Sequence, residues 1–387
     1  MKKRVSDLYR KTLRNSGKAC FNQMAEMFHM GNSQSILILL ALMAIALILV
    51  LFPNVQSYVV GLIGSSGFNM SALSQNLTSV GNLYYPTTTI KENYVPQNTI
   101  IAYALADINK DRSAYNVSPV SYTMFGSAQQ HSNSMLQNAY FSHWDIYGMK
   151  PYMRYSILGG NGSVDENIAF MYNSGGINVT NAISQMEYNM MYNDSKCCNN
   201  GHRDNILTPQ HNYVSIGVAY NATTVYLTED FVNNYIDWFY GTPSFDNGIV
   251  RLNGTCSSGY GLHEVLVTYD PTVTNLTPFQ LKHPPYNDSY GYGSTIAGIG
   301  YTMDYRGYKY SYTYGNITLN ATSYVVQGRN FGTTFNIDSL IKRYGQGEYT
   351  VMVLLNDTST SPQTSFLAAT RTIFINASGS SYVPSAV

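Results

Sequence analysis

The chain has 387 residues, enough for two ordinary domains with appendages, and only 11% of them are charged. Lys+Arg and Asp+Glu balance at 22 each, yet residues 1–34 hold seven Lys/Arg against Asp7 and Glu26, so the N-terminus carries +5 and the remainder −5 (15 against 20). Nothing beyond the N-terminus resembles a phosphate-binding surface, which argues against a nucleic-acid partner, and the 35 Tyr make the chain polar through hydroxyls rather than charge.

The first predicted element follows the basic segment 1–34. Ile36 to Phe52 is unbroken apolar sequence, near the length of a bilayer core, and predicts a transmembrane signal anchor over 35–56. The leader is too long for a cleaved signal peptide. Because the basic flank precedes the span, the N-terminus is expected in the cytoplasm and everything after it outside the cell membrane. Asn-x-Ser/Thr triplets agree: they run from Asn69 to Asn376 and none precedes the span, as in an extracellular glycoprotein. Residues 57–95, rich in Ser, Asn, Gly and Thr, read as an external linker.

From Gln97 the pattern turns helical. Ile100, Ala104 and Ile108 recur at four-residue spacing up to Asn109-Lys110-Asp111-Arg112. A second helix is expected from about Ser121 to Asn138, with Met124, Ala128, Met135 and Leu136 on its apolar or small face and His131 beside it as a packed core residue. Gly159 to Gly162 is a turn, Asp165 to Met171 a short segment entering the core, and Ile183 to Tyr192 a third helix with Ile183, Met186, Met190 and Met191 inward. Two strands, Tyr213–Tyr220 and Thr224–Phe231, turn at Asn221-Ala222. Between the third helix and these strands lies Asn199-Asn200-Gly201-His202-Arg203-Asp204-Asn205-Ile206-Leu207. Arg203 is expected to anchor a loop through a carboxylate.

Past residue 243 the long helical periods end. Short apolar or alternating runs at Val265–Val267, Tyr324–Val326, Thr350–Leu355 and Thr372–Ile375 predict an antiparallel β-sandwich over 244–378, with one short helix at Ile337–Tyr344 and an unstructured tail over 379–387. Cysteine is sparse. A bridge from Cys256 to Cys197 or to Cys198 is open, and the lack of any C-x-x-C argues against a thiolate zinc site.

The order of these elements carries a resemblance. Asn109–Arg112, Ala128-Gln-Gln-His131, Phe141-Ser-His143, Gly148, Glu166-Asn167-Ile168-Ala169, Gly201-His202-Arg203 with Asn205-Ile206-Leu207, and Ile216-Gly217-Val218 together resemble the CAP superfamily, or SCP domain, over roughly residues 97–240. The His-Arg-x-Asn-Ile-Leu form is similar to the prokaryotic branch, and the Tyr- and Asn-rich external regions to archaeal envelope proteins. The resemblance implies an α+β chain: a CAP-type α-β-α sandwich over 96–243, then an immunoglobulin-like sandwich.

It also implies a cleft with two His and two acidic residues. His143, Glu166 and His202 carry over; Glu187 and Asp194 are the candidates for the fourth. Asp165 stands where the family usually has Gly. In some CAP proteins the paired imidazoles bind metal, so His143 and His202 become expected ligands for Zn²⁺ or another divalent ion, with carboxylates behind them.

No G-x-S-x-G elbow or P-loop occurs, and His263-Glu264 lacks the second His of a zincin. Two functions follow from the cleft: a membrane-anchored external binding or envelope protein taking a glycan, lipid or protein ligand, or a CAP-type metal-dependent hydrolase.

Overall fold

Pro96 is the N-cap of the first helix, its carbonyl accepting from the N–H groups of Thr99 and Ile100. This helix, α1 (Gln97–Ala114), buries Ile100, Ala104 and Ile108 along one stripe. The computed structural model describes residues 95–384 apart from 125–126, 306–307, 313–316 and 361. The expected basic segment 1–34, the span at 35–56 and the linker up to residue 94 lie outside the described residues. Among the described residues no helix is long and apolar enough to cross a membrane.

The described residues belong to one compact unit. Its first half runs β1 (Ser121–Tyr122), α2 (Ser127–Asn138), α3 (Pro151–Ile157), β2 (Ser163–Tyr172), α4 (Val179–Tyr192), α5 (Ser195–Cys198), α6 (Gly201–Ile206), β3 (Tyr213–Tyr220) and β4 (Thr224–Asn233). The strands make one sheet in the order β1-β3-β4-β2, antiparallel except for the parallel β1–β3 edge. The second helix therefore starts at Ser127 rather than near Ser121. Val120 is pinned extended by both its N–H and its carbonyl to the Asn109 side chain, and Ser121–Tyr122 then pairs with β3. Met124, expected on the helix's apolar face, is exposed.

Strand alternation sorts the side chains into two layers. Val214, Ile216, Val218, Leu227 and Phe231 pack with α1 and α4 in one apolar cluster. The intervening residues face α2, which sits so close to β3 that a Cβ on Gly217 would lie 2.2 Å from the Ala128 carbonyl carbon. Antiparallel register sets Glu166 opposite Asp230 and Asn167 opposite Glu229. Opposed residues share a face, so the first pair points toward α2 and the second toward α4.

The second half is rich in β-structure. β5 (Ile236–Trp238), β6 (Ser244–Asp246), β7 (Ile249–Cys256), β12 (Ser323–Gln327) and β13 (Asn330–Asn336) form one sheet. β8 (Tyr260–Asp270), β9 (Ser294–Tyr305), β10 (Tyr308–Tyr312), β11 (Thr318–Asn320), β14 (Gly347–Asp357), β15 (Ser365–Ile375) and β16 (Ser381–Tyr382) form another. Val250, Leu252, Phe331 and Phe335 of the first meet Val265, Val267, Val351 and Val353 of the second in a common core. The pairing is not all antiparallel as expected, because β11 runs parallel to β9. Two short helices complete it, α7 (Pro278–Leu281) and α8 (Asp338–Tyr344). Ser381–Tyr382, in the tail expected to lack structure, instead pairs with Phe374 and Ile375.

The halves are joined through α3. Tyr152 and Met153 share a cluster with Val232 and Phe374. The Tyr152 hydroxyl donates to Asp270 at 2.6 Å, and Lys150 pairs with the same carboxylate at 2.7 Å.

Candidate functional site: a carboxylate-backed imidazole cleft

Gly201 begins α6, and the chain reaches it through two consecutive left-handed residues, Asn199 (φ 51°) and Asn200 (φ 66°). Asn tolerates that conformation better than other non-glycine residues. The reversal brings His202 back over Asp194. One Asp194 oxygen takes the His202 Nδ1 contact at 2.7 Å; the other accepts the backbone N–H groups of His202 (2.8 Å) and Arg203 (3.2 Å). Burial alone would raise the Asp194 pKa, but these hydrogen bonds and the charge of His202 outweigh it and hold the carboxyl below its ordinary value.

The second imidazole is built the same way. His143 Nδ1 lies 2.9 Å from Glu166 Oε1. Arg154 holds the other Glu166 oxygen at 2.6 Å and donates to the carbonyls of His143 and Met149. One buried guanidinium thus fixes both the strand and the loop of the site. His131 donates from Nε2 to the Ser142 carbonyl and lies 3.9 Å from Glu166. Burial keeps it neutral, well below its usual pKa. Tyr290, from the second half, accepts the Glu166 N–H at 2.9 Å and tilts its ring 4.9 Å from that of His143.

His143 and His202 line one cleft of about 770 Å³, together with Glu166, Asp165, Cys197, Cys198 and the segment 287–292. Burial and the neighbouring His202 push His143 down to about 3, so it is neutral at pH 7. Burial raises Glu166 to about 7 despite Arg154, and lifts Asp165 to about 6. Beneath Glu166, Asp230 accepts from the Ser127 hydroxyl and is raised to about 8 by burial and by Glu166.

The two candidates for the fourth member separate here. Asp194 is the partner of His202. Glu187 is buried on α4 and is raised well above its usual pKa by burial and by Glu229, away from the cleft. The expected Arg203 carboxylate pair is not found among the described residues: only its backbone N–H reaches Asp194, and its guanidinium lies over the Tyr115 ring at 5.1 Å. The Cys256 bridge left open by the sequence does not form: Cys197 and Cys198 are exposed thiols and Cys256 a buried one. Although the chain has no C-x-x-C, the one-turn α5 and the reversal after it bring the Cys197 and Cys198 sulfurs near the His202 ring.

This constellation sits inside the stretch that comparison singles out. A family described as Cysteine-rich secretory protein family, CAP, matches residues 105–235. This segment matches the CAP family. No curated protein matches the chain. Similar solved structures include an extracellular protein containing a SCP domain from Bacillus anthracis, with 22% identity and a TM-score of 0.29, over 39% of this chain and 45% of that one. The chain therefore spans less than half of that protein. An outer surface protein from Borrelia burgdorferi shows 10% identity and a TM-score of 0.28, over 36% of this chain and 96% of its own. The CAP domain of Enterococcal PrgA shows 10% identity and a TM-score of 0.28, over 50% and 88%.

Arg154, Asp230 and Tyr290 escaped the sequence reading of the CAP-like segment. The adjacent Glu229-Asp230 pair in an otherwise apolar strand was the one local signal.

Proposed function

We propose that this chain is a membrane-anchored, extracytoplasmic CAP-type binding protein of the cell envelope, of the prokaryotic and specifically archaeal kind. Its cleft takes a ligand of the envelope, and its immunoglobulin-like second half adds surface contacts. The observation that carries the reading is the cleft itself. Two imidazoles have Nδ1 engaged by carboxylates, while Tyr290 and Tyr292 supply amphipathic surface beside them. Among the described residues no Lys or Arg lines the cleft, which favours a neutral or cationic polar ligand, a glycan or a peptide, over an anionic lipid headgroup. The basic segment before the apolar run and the one-sided Asn-x-Ser/Thr triplets support the external location.

The test is binding of full-length protein in detergent to a panel of envelope glycans and peptides. Saturable binding lost in His202→Ala, with an unchanged melting temperature, is the expected result; binding indifferent to that substitution overturns it.

A second reading, a metal-dependent hydrolase, is favoured by Glu166, a buried carboxyl whose pKa of about 7 suits proton transfer at neutral pH. His143 and His202 would hold the ion, since imidazoles fixed at Nδ1 by carboxylates present Nε2 to a metal. A divalent ion supplies Lewis acidity when bound. Turnover on the same panel, dependent on Zn²⁺ and lost in Glu166→Gln, selects this reading over the first.

A further inference from the structure

Asp194, Cys197, Cys198 and His202 each present one ligand atom, and these atoms all lie within 4.8 Å of one another. The cluster follows from local structure. Asp194 has helical dihedrals and precedes the single turn of α5, so residues 194, 197 and 198 fall on one helix face. The left-handed Asn199 and Asn200 then return the chain, and His202 completes the set.

Several observations point to a cation at this cluster. The Cys197 sulfur lies 3.5 Å from Asp194 Oδ1. Both thiols are free and exposed. The adjoining cleft is lined by Asp165, Asp204 and Asp288, with no Lys or Arg among the described lining residues; Glu166, which also lines it, is paired with Arg154 behind the wall. Asp194 is held through its second oxygen by two backbone N–H groups, which leaves Oδ1 facing the His202 ring and the Cys197 sulfur.

We propose that Asp194, Cys197, Cys198 and His202 form a binding site for one divalent ion of the zinc type. Tetrahedral zinc, with about 2.3 Å to sulfur and about 2.0–2.1 Å to nitrogen and oxygen, separates its ligand atoms by about 3.3–3.8 Å. The four ligand atoms, all within 4.8 Å of one another, lie near that spacing. Two sulfurs with one nitrogen and one oxygen select zinc over magnesium or calcium, and each thiol releases its proton to solvent as it binds. The bound ion ties α5 to α6 and stiffens one wall of the cleft. His143 is not a ligand, so this ion is distinct from one shared by the two imidazoles, and the proposal does not rest on the cleft's ligand.

Full-length protein with reduced thiols, titrated with Co²⁺ alone, tests it. One equivalent is expected to give sulfur-to-cobalt charge-transfer absorption in the near ultraviolet, which Zn²⁺ displaces. The C197S/C198S variant is expected to lose the band while keeping the wild-type circular dichroism. The His143→Ala variant is expected to keep the band, although it impairs the ligand binding proposed above, so the two readings fail separately. Should the double variant misfold, Cys198→Ser alone must weaken the band. Cobalt bound without the band, a band that survives loss of both thiols, or no cobalt bound at all each overturns the site.

Discussion

Asp230 and Glu166 face one another at opposed positions of β2 and β4, and burial keeps at least one of them protonated near neutrality. The folded pKa of Asp230, about 8, lies above its ordinary 3.8. The folded state therefore holds more protons than the unfolded state between those values. The stability this group contributes is fully present below about pH 4 and is lost as pH rises through about 8. Melting temperature is expected to fall between pH 6 and 9, and Asp230→Asn, which keeps the Ser127 hydroxyl satisfied, is expected to flatten that fall. An unchanged slope in the variant refutes the assignment. Arg154→Met removes the guanidinium from Glu166 and from two carbonyls. A loss of about 3 kcal/mol in denaturant unfolding is expected, the low end for a broken buried pair because Glu166 can take up a proton.

At the scale of elements, α2 packs tightly on β3. Gly217→Ala places a methyl against the Ala128 carbonyl and the Gln129 nitrogen, and should cost about 2 kcal/mol or more in unfolding experiments. Gly201→Ala, with open space around it, should be near neutral.

The same elements show what the sequence made legible. Ile100, Ala104 and Ile108 announced α1, and alternation at Val214, Ile216 and Val218 announced β3, because each pattern matches its element's own period. His143, Glu166 and His202 were marked by short motifs, and the fold brings all three to one cleft. The start of α2 was missed because Asn109 pins Val120 extended, a contact eleven residues away that periodicity does not see. The choice of Asp194 over Glu187 depended on two left-handed residues between it and His202, a geometry that spacing along the chain does not reveal. Tyr290 was invisible for a simpler reason: it is 124 residues from Glu166.

At the scale of the whole molecule, the two halves are coupled by α3. Asp270 takes both Tyr152 and Lys150, and Arg371 donates to the Ser156 carbonyl at 2.8 Å. Calorimetry of the intact chain should show residues 95–384 melting in a single transition. Asp270→Ala, which strands a buried Tyr152 hydroxyl, is expected to lower it by several degrees. Two well-separated transitions would contradict the coupling.

Tyr290 is where that coupling reaches the chemistry. A loop belonging to one half lines a pocket whose two imidazoles and their carboxylate partners belong to the other. Loops vary more readily than the frameworks that carry them. Changes at Asn287, Asp288 and Ser289 therefore reshape one wall of the cleft while Tyr290 keeps its hold on the His143 ring and the Glu166 backbone, so the wall and the polar machinery are free to diverge at different speeds.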